Sequence, residues 1–322
     1  MRKASPEELI ERARAGQRGP LARLLSLVER GGEPARAVGR LTFPLAGSAH
    51  TVGITGAPGA GKSTLTSALV GHMRSLELEA AVLAIDPSSP FTGGAILGDR
   101  VRMGDHSLDQ GVFIRSMATR GQLGGLALAT PAAVRVLDAV GFGWVLVETV
   151  GVGQVEVEIA GAADTTVVVV NPGWGDSVQA NKAGLMEIAD IFVINKADRP
   201  GVNDTRRDLE QMLELSQLGS WQPPIVATVG HSGEGVDQLW QALVDHRAHL
   251  ESSGEGAARR ARRADDELRR ILTEAVLERA DRVWGASDGV ALRAEVAARR
   301  IDPYRAVETL LGAADDPAND LG

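Results

Sequence analysis

Between about residues 50 and 230 the chain alternates short runs of β-branched and aliphatic residues with longer stretches of helical periodicity. The runs are Thr51–Thr55, Ala81–Ile85, Val112–Ile114, Trp144–Val147, Thr165–Val170, Ile191–Ile194 and Ile225–Thr228. They are mostly apolar, with threonines in three of them and no polar alternation, which predicts strands covered on both faces. Strands of this kind separated by helices predict an α/β fold with a mainly parallel sheet and crossover connections.

Both ends of the chain read as helical. Ser5-Pro6-Glu7-Glu8 offers a cap, a proline at the first helical position and an acid three residues after the cap. Gly16 should end that helix, and a second apolar stretch, Leu21 to Val28, should stop at Gly31-Gly32. After Ser252-Ser253-Gly254, read as a linker, a long helix carries Leu268, Ile271, Leu272, Ala275, Val276, Ala280, Val283 and Trp284 on one face. Arg259, Arg260, Arg262 and Arg263 near its start read as a solvated basic face. The polar tail after Gly312 reads as disordered. These patterns predict an N-terminal helical arm over 1–47, an α/β domain over 48–250 and a C-terminal helical extension over 251–322.

Composition narrows the function classes. The net charge of -8 argues against a nucleic-acid-binding surface. No apolar run approaches the ~20 residues of a membrane span, and the charged N-terminus lacks the apolar core of a secretory signal, so a cytoplasmic protein is expected. With no cysteine there are no disulfides and no thiolate metal sites. Of the 34 Lys and Arg, only Lys3, Lys62, Lys182 and Lys196 are lysines. Arginine and lysine differ in shape and hydration, so a lysine kept against this bias hints at a site that needs one.

Two of the four lie in nucleotide motifs. Gly56-Ala57-Pro58-Gly59-Ala60-Gly61-Lys62-Ser63 fits G-x-x-x-x-G-K-[ST] and sits between a strand-like run and a helix opening at Thr64. In this loop the glycines let backbone N–H groups turn toward phosphates, Lys62 reaches the β and γ oxygens, and Ser63 can ligate Mg²⁺. Asn195-Lys196-Ala197-Asp198 ends another run and resembles the NKxD motif of GTPases. A carboxylate there accepts from the ring N–H and exocyclic amine of guanine, a donor pair adenine lacks. Thr228-Val229-Gly230 follows the last run, in the slot of the GTPase SAK element, and offers backbone contacts to the base.

Three further segments carry acids or polar groups near the same strand ends. Glu148-Thr149-Val150-Gly151 takes the place of the GTPase D-x-x-G, with Glu148 toward the Mg²⁺ hydration shell. Val152 stands where many GTPases place a water-orienting glutamine, so slow hydrolysis that depends on a partner is expected. Asp86 and Asp99 suit a Mg²⁺ or switch role; their alternative is turn chemistry at Asp86-Pro87 and a helix cap at Asp99. The segment from Asn171 to Lys182 follows a buried run, and its Asp176, Gln179 and Lys182 are candidate switch residues, with a solvated surface lysine as the plainer reading of Lys182.

GAPGAGKST at 56–64, DPSSPFTGGAILGDRVRM at 86–103, ETVGVGQVE at 148–156, NPGWGDSVQANKAGLMEIAD at 171–190 and NKAD at 195–198 together resemble the methylmalonyl-CoA mutase-associated GTPases, the MeaB/ArgK group. The resemblance covers residues 5 to 312 and implies a homodimer with a central GTPase domain and a C-terminal dimerising extension. It implies binding of GTP or GDP with Mg²⁺, and an adenosylcobalamin-dependent acyl-CoA mutase as partner. In that partnership GTP gates cofactor loading and the holoenzyme is protected from inactivation. Asp86, Asp99 and Glu148 then correspond to Mg²⁺-associated acids, and residues 173–184 to a third switch. Val155 departs from the family's usual serine. A nickel-delivery GTPase would need Cys/His clusters, which a chain with no Cys and 6 scattered His lacks. A small-molecule kinase linked to arginine transport would use ATP, against which Asp198 argues.

Overall fold

The computed structural model describes residues 4–86, 104–106, 108–118, 125–149, 161–173, 188–215 and 219–314. All seven sequence runs become strands: β1 (His50–Gly56), β2 (Ala80–Asp86), β3 (Val112–Ala118), β4 (Trp144–Thr149), β5 (Thr165–Val170), β6 (Ile191–Asn195) and β7 (Ile225–Thr228). They form one sheet in the order β3-β2-β4-β1-β5-β6-β7, and every pairing between neighbours is parallel.

Alternate residues of one strand enter different cores. On β4, Val145 and Val147 pack with α1 (Pro6–Arg14), α2 (Arg18–Arg30), α3 (Gly32–Thr42) and α5 (Gly125–Val140). Leu146 points the other way, with α4 (Lys62–Ser75) and α7 (Val236–Ser253). A third cluster joins β5 and β6 to α6 (Val202–Leu215). Two-sided burial is the physical reason the strand sequences are apolar without alternation.

Local signals set the helix ends of the arm. Ser5 and Glu8 form a reciprocal capping box at the start of α1. Gly16 and Gly31 take left-handed φ values of 82° and 72° after the first two helices. The arm continues as α3, and the described chain closes with α8 (Glu255–Gly285), α9 (Ser287–Ala297) and α10 (Pro303–Ala314). The tail expected to be disordered begins within α10, and residues 315–322 lie outside the described part. Only Gly254, at φ 77°, separates α7 from α8, so the expected linker is a single-residue helix break.

The chain divides into two compact units, residues 1–263 and 264–322. Within the second, Arg293 lies over the Trp284 ring and α9 packs on α10. Leu268, Leu272 and Val276 on α8 are exposed.

Arg259, Arg260 and Arg263 at the start of α8 are ion-paired rather than the solvated face their sequence suggests, while Arg262 is exposed as expected. Arg259 binds Asp190 through both Nη atoms, at 3.0 and 2.9 Å. Arg260 and Arg263 reach the carboxylate of Asp164. Both acids sit on loops about 70 to 100 residues away in sequence, so no local pattern reveals them.

Candidate nucleotide site

The phosphate loop occupies the C-terminal end of β1, at the middle of the sheet, and leads directly into α4. Two of its glycines are required by geometry. Gly56 has φ 137°, and a Cβ there would lie 2.0 Å from the Val169 carbonyl oxygen on β5. Gly61 has φ 88°, and its Cβ would lie 2.5 Å from Asn195 Nδ2. The loop therefore hugs the neighbouring strand and the Asn195 amide as only glycine permits. Its turn exposes Pro58 and Gly59 and buries Ala60, and the N-terminus of α4 presents backbone N–H groups suited to an anion.

Lys62, largely buried, lays its ammonium along the loop, donating to the carbonyls of Gly56 at 2.6 Å and Ala57 at 3.3 Å. Ser63 Oγ donates to Glu148 Oε1 at 2.5 Å, which brings α4 onto the end of β4. Register explains the meeting: Ile54 of β1 lies opposite Glu148 of β4, two residues before the loop. Glu148 is 1% exposed. A hydroxyl and a buried carboxylate in contact are hard oxygen donors, the set a Mg²⁺ ion takes beside phosphate oxygens. These residues fit that metal.

Asn195 frames the other side. Its Nδ2 donates to Ala60 O at 2.8 Å, and its Oδ1 accepts from Gly230 N at 3.0 Å and Thr228 Oγ1 at 3.2 Å. Lys196, held at φ 59°, donates to Gly59 O at 2.6 Å. The Asn-Lys pair thus staples the phosphate loop to the loop after β7. Asp198 is exposed in the turn just beyond it. The amide of Val229 is given to Glu234 O at 2.9 Å, closing the loop of Thr228, Val229 and Gly230 into a tight turn.

The site therefore brings together Gly56, Ala57, Gly59, Ala60, Gly61, Lys62, Ser63, Glu148, Asn195, Lys196, Thr228 and Gly230. Thr64 is exposed on the first turn of α4. Asp86 ends β2, one strand from Glu148; its backbone is placed opposite Ala118. Asp99, Asp176, Gln179, Lys182, Val152 and Val155 lie outside the described residues.

Sequence reasoning passed over three contacts. Thr149 and Thr55 place their hydroxyls 3.4 Å apart under the loop. Asn171 Nδ2 lies 3.5 Å from Gly59 O, and Gly173 N donates to Thr205 Oγ1 at 3.1 Å, which anchors the root of the segment following β5. A polar residue at the first position after a buried strand was the available signal.

A family model described as methylmalonyl Co-A mutase-associated GTPase MeaB matches residues 21–284. The chain belongs to the MeaB family of GTPases. A putative GTPase of Pyrococcus abyssi is 50% identical over 310 residues, covering 95% of each chain. The GTPase ArgK of Escherichia coli is 36% identical, over 85% of this chain and 86% of that one. A mouse protein described as a mitochondrial methylmalonic aciduria type A homolog is 33% identical over 81% of this chain and 65% of its own length. Among solved structures, a LAO/AO transport system kinase is 28% identical with a TM-score of 0.71, covering 97% of this chain and 98% of that one. As a MeaB-family member the protein is a P-loop GTPase that binds guanine nucleotide and hydrolyses GTP.

Proposed function

We propose that this GTPase is a chaperone of an adenosylcobalamin-dependent acyl-CoA mutase, with methylmalonyl-CoA mutase the first client to test. In this reading GTP gates delivery of adenosylcobalamin and protects the loaded mutase from inactivation, in the cytoplasm. The observation that carries it is the mutase-associated family model over residues 21–284, lying across a site whose nucleotide frame is built. The description of the mouse relative points the same way.

The chain's own residues supply binding and positioning. Backbone N–H groups of residues 59–63 cradle phosphates, Lys62 swings from the loop carbonyls to the β and γ oxygens, and Asp198 selects guanine. Ser63 would hold Mg²⁺, with Glu148, Asp86 and Asp99 around it, and the bound ion would neutralise charge on the phosphate oxygens. Val152 cannot orient water, so turnover of the isolated protein is slow, and Asp176, Gln179 and Lys182 couple mutase binding to hydrolysis. The apolar face of α8 pairs two copies, with residues 1–47 as an arm, 48–250 as the GTPase domain and 251–322 as the dimerising extension.

The experiment is single-turnover GTP hydrolysis by the purified chain with and without the mutase, beside the Lys182→Ala variant. Stimulation by mutase, reduced ~10-fold or more in the variant with unchanged GTP affinity, supports the reading. Equal rates with and without mutase refute it. The solved relative described as a transport system kinase supports a second reading, phosphoryl transfer from ATP to a small molecule. Competitive titration of GTP against ATP separates the two, since a kinase of that kind would bind ATP.

A further inference from the structure

At the end of the sheet opposite the phosphate loop, two aspartates hold the starts of the strands that carry nucleotide contacts. Asp164 Oδ2 accepts from Thr51 N of β1 at 2.9 Å, and Asp190 Oδ2 accepts from Thr166 N of β5 at 2.8 Å. Asp164 immediately precedes β5, and Asp190 immediately precedes β6. Those strands end in Gly56, at the root of Asn171, and in Asn195. Their side chains are 3% and 8% exposed, so each is a buried carboxylate whose charge must be matched.

The first turns of α8 match it. Arg259 forks onto Asp190 and also donates to Asp164 O at 3.1 Å. Arg260 donates to Asp164 Oδ1 at 3.3 Å and to the carbonyl of Gly47 at 2.6 Å, before β1. Arg263 adds Asp164 Oδ1 and the carbonyl of Ala163. The neighbouring walls are fixed as well. Trp221 Nε1 donates to Asp190 O at 2.8 Å, and Glu255 accepts from Ser220 Oγ. The spacing of 259, 260 and 263 places the three guanidiniums on one side of a helix. These are the last residues of the unit that contains the GTPase site.

We propose that Arg259, Arg260 and Arg263, closed on Asp164 and Asp190, form a latch that couples the nucleotide loops to α8. β1 and β5 are held at their starts by the latch carboxylates, β6 begins at the residue after Asp190, and all three run to the phosphate loop or its frame. A shift of these strands when the γ-phosphate is bound or lost is felt at the arginine forks, whose planar geometry tolerates little displacement. The coupling is reciprocal: a contact that moves α8 alters nucleotide affinity by the same factor. This inference rests on nucleotide binding alone and is independent of which protein is the client.

The test is amide hydrogen exchange over residues 255–263 in the full-length protein, with GDP and with a non-hydrolysable GTP analogue. The wild type should show at least about a threefold difference in exchange rate between the two states, reporting local opening. Arg259→Gln with Arg260→Gln should abolish that difference while GDP affinity, measured by fluorescent-nucleotide titration, stays within about threefold. Arg259→Lys, which keeps the charge but loses the fork, should retain part of it; this milder variant carries the test if the double variant does not fold. Equal exchange with both nucleotides in the wild type would overturn the proposal, and so would a full difference surviving in the variants while both nucleotides still bind.

Discussion

Asn195 Nδ2 donates to the carbonyl of Ala60 at 2.8 Å, so the last residue of β6 holds the phosphate loop in place before any base contact is considered. Because its Oδ1 also accepts from Gly230 and Thr228, one side chain spans three segments of the site. Asn195→Ala should weaken GTP and GDP alike, by about 10- to 100-fold, since it removes several buried hydrogen bonds worth roughly 1 kcal/mol each. Asp198→Asn should instead act on the base, weakening guanine nucleotides by at least ~1.4 kcal/mol, about tenfold, through loss of the charged bidentate acceptor. Titration calorimetry with GTP, GDP and ATP distinguishes the two. Unaltered GTP affinity in Asp198→Asn would remove Asp198 from base selection.

The Ser63–Glu148 contact ties the first turn of α4, where the proposed function puts the Mg²⁺ ligand, to β4. Ser63→Ala and Glu148→Gln should each lower single-turnover hydrolysis by about 10²-fold or more while leaving GDP affinity in the absence of metal within a few-fold. The dependence of rate on Mg²⁺ concentration should shift upward in both variants. A Glu148→Gln protein with wild-type rate and Mg²⁺ dependence would assign the carboxylate a purely structural place.

Stability should fall on mild acidification because of two buried histidines. His50 Nε2 and His246 Nδ1 both meet Thr165 Oγ1, at 2.8 and 2.7 Å, and His246 Nε2 lies 3.3 Å from Asp190 Oδ1. Burial lowers His50 to about 4, against a smaller opposing pull from Asp164. Burial likewise lowers His246 to about 4, against Asp190. The unfolded chain therefore binds more protons than the folded one between the ordinary histidine value of 6.5 and about 4. Stability is full above that window and is lost as the pH falls through it, by about 1–3 kcal/mol per histidine. Denaturant midpoints at pH 7.5 and 5 should show the loss, and His246→Gln should reduce it to the part due to His50. A pH-independent midpoint would mean these imidazoles do not stay neutral in the folded protein.

The position of the latch fixes where the C-terminal helices can be removed. A chain ending after Ala264 keeps all three arginines and should be a monomer that binds GDP normally, because it loses the exposed Leu268, Leu272 and Val276. One ending after Ser253 leaves Asp164 and Asp190 buried without their arginines and should be less stable by about 3–5 kcal/mol. Sedimentation and thermal melting of the two truncations check both statements. A dimer that survives the cut after Ala264 would place the pairing surface elsewhere.

The sequence by itself determined the seven strands, the first two arm helices and the phosphate loop. A strand buried on both faces must be largely apolar, a capping box marks the start of α1, and a loop that wraps phosphate needs glycine at fixed spacing. These are local requirements, and local composition records them. Only the tertiary structure decided the order of the strands, which brings Glu148 of β4 to Ser63 after β1, and the use of Asn195 as a staple for a loop 135 residues earlier. It also decided the fate of Arg259, Arg260 and Arg263. Their sequence is that of a solvated helix face, and they become ion-paired because Asp164 and Asp190, needed to cap the starts of β1 and β5, are buried beside them. A charge's partner is set by which chain segments the fold brings together, and nothing in its own neighbourhood of the sequence carries that information.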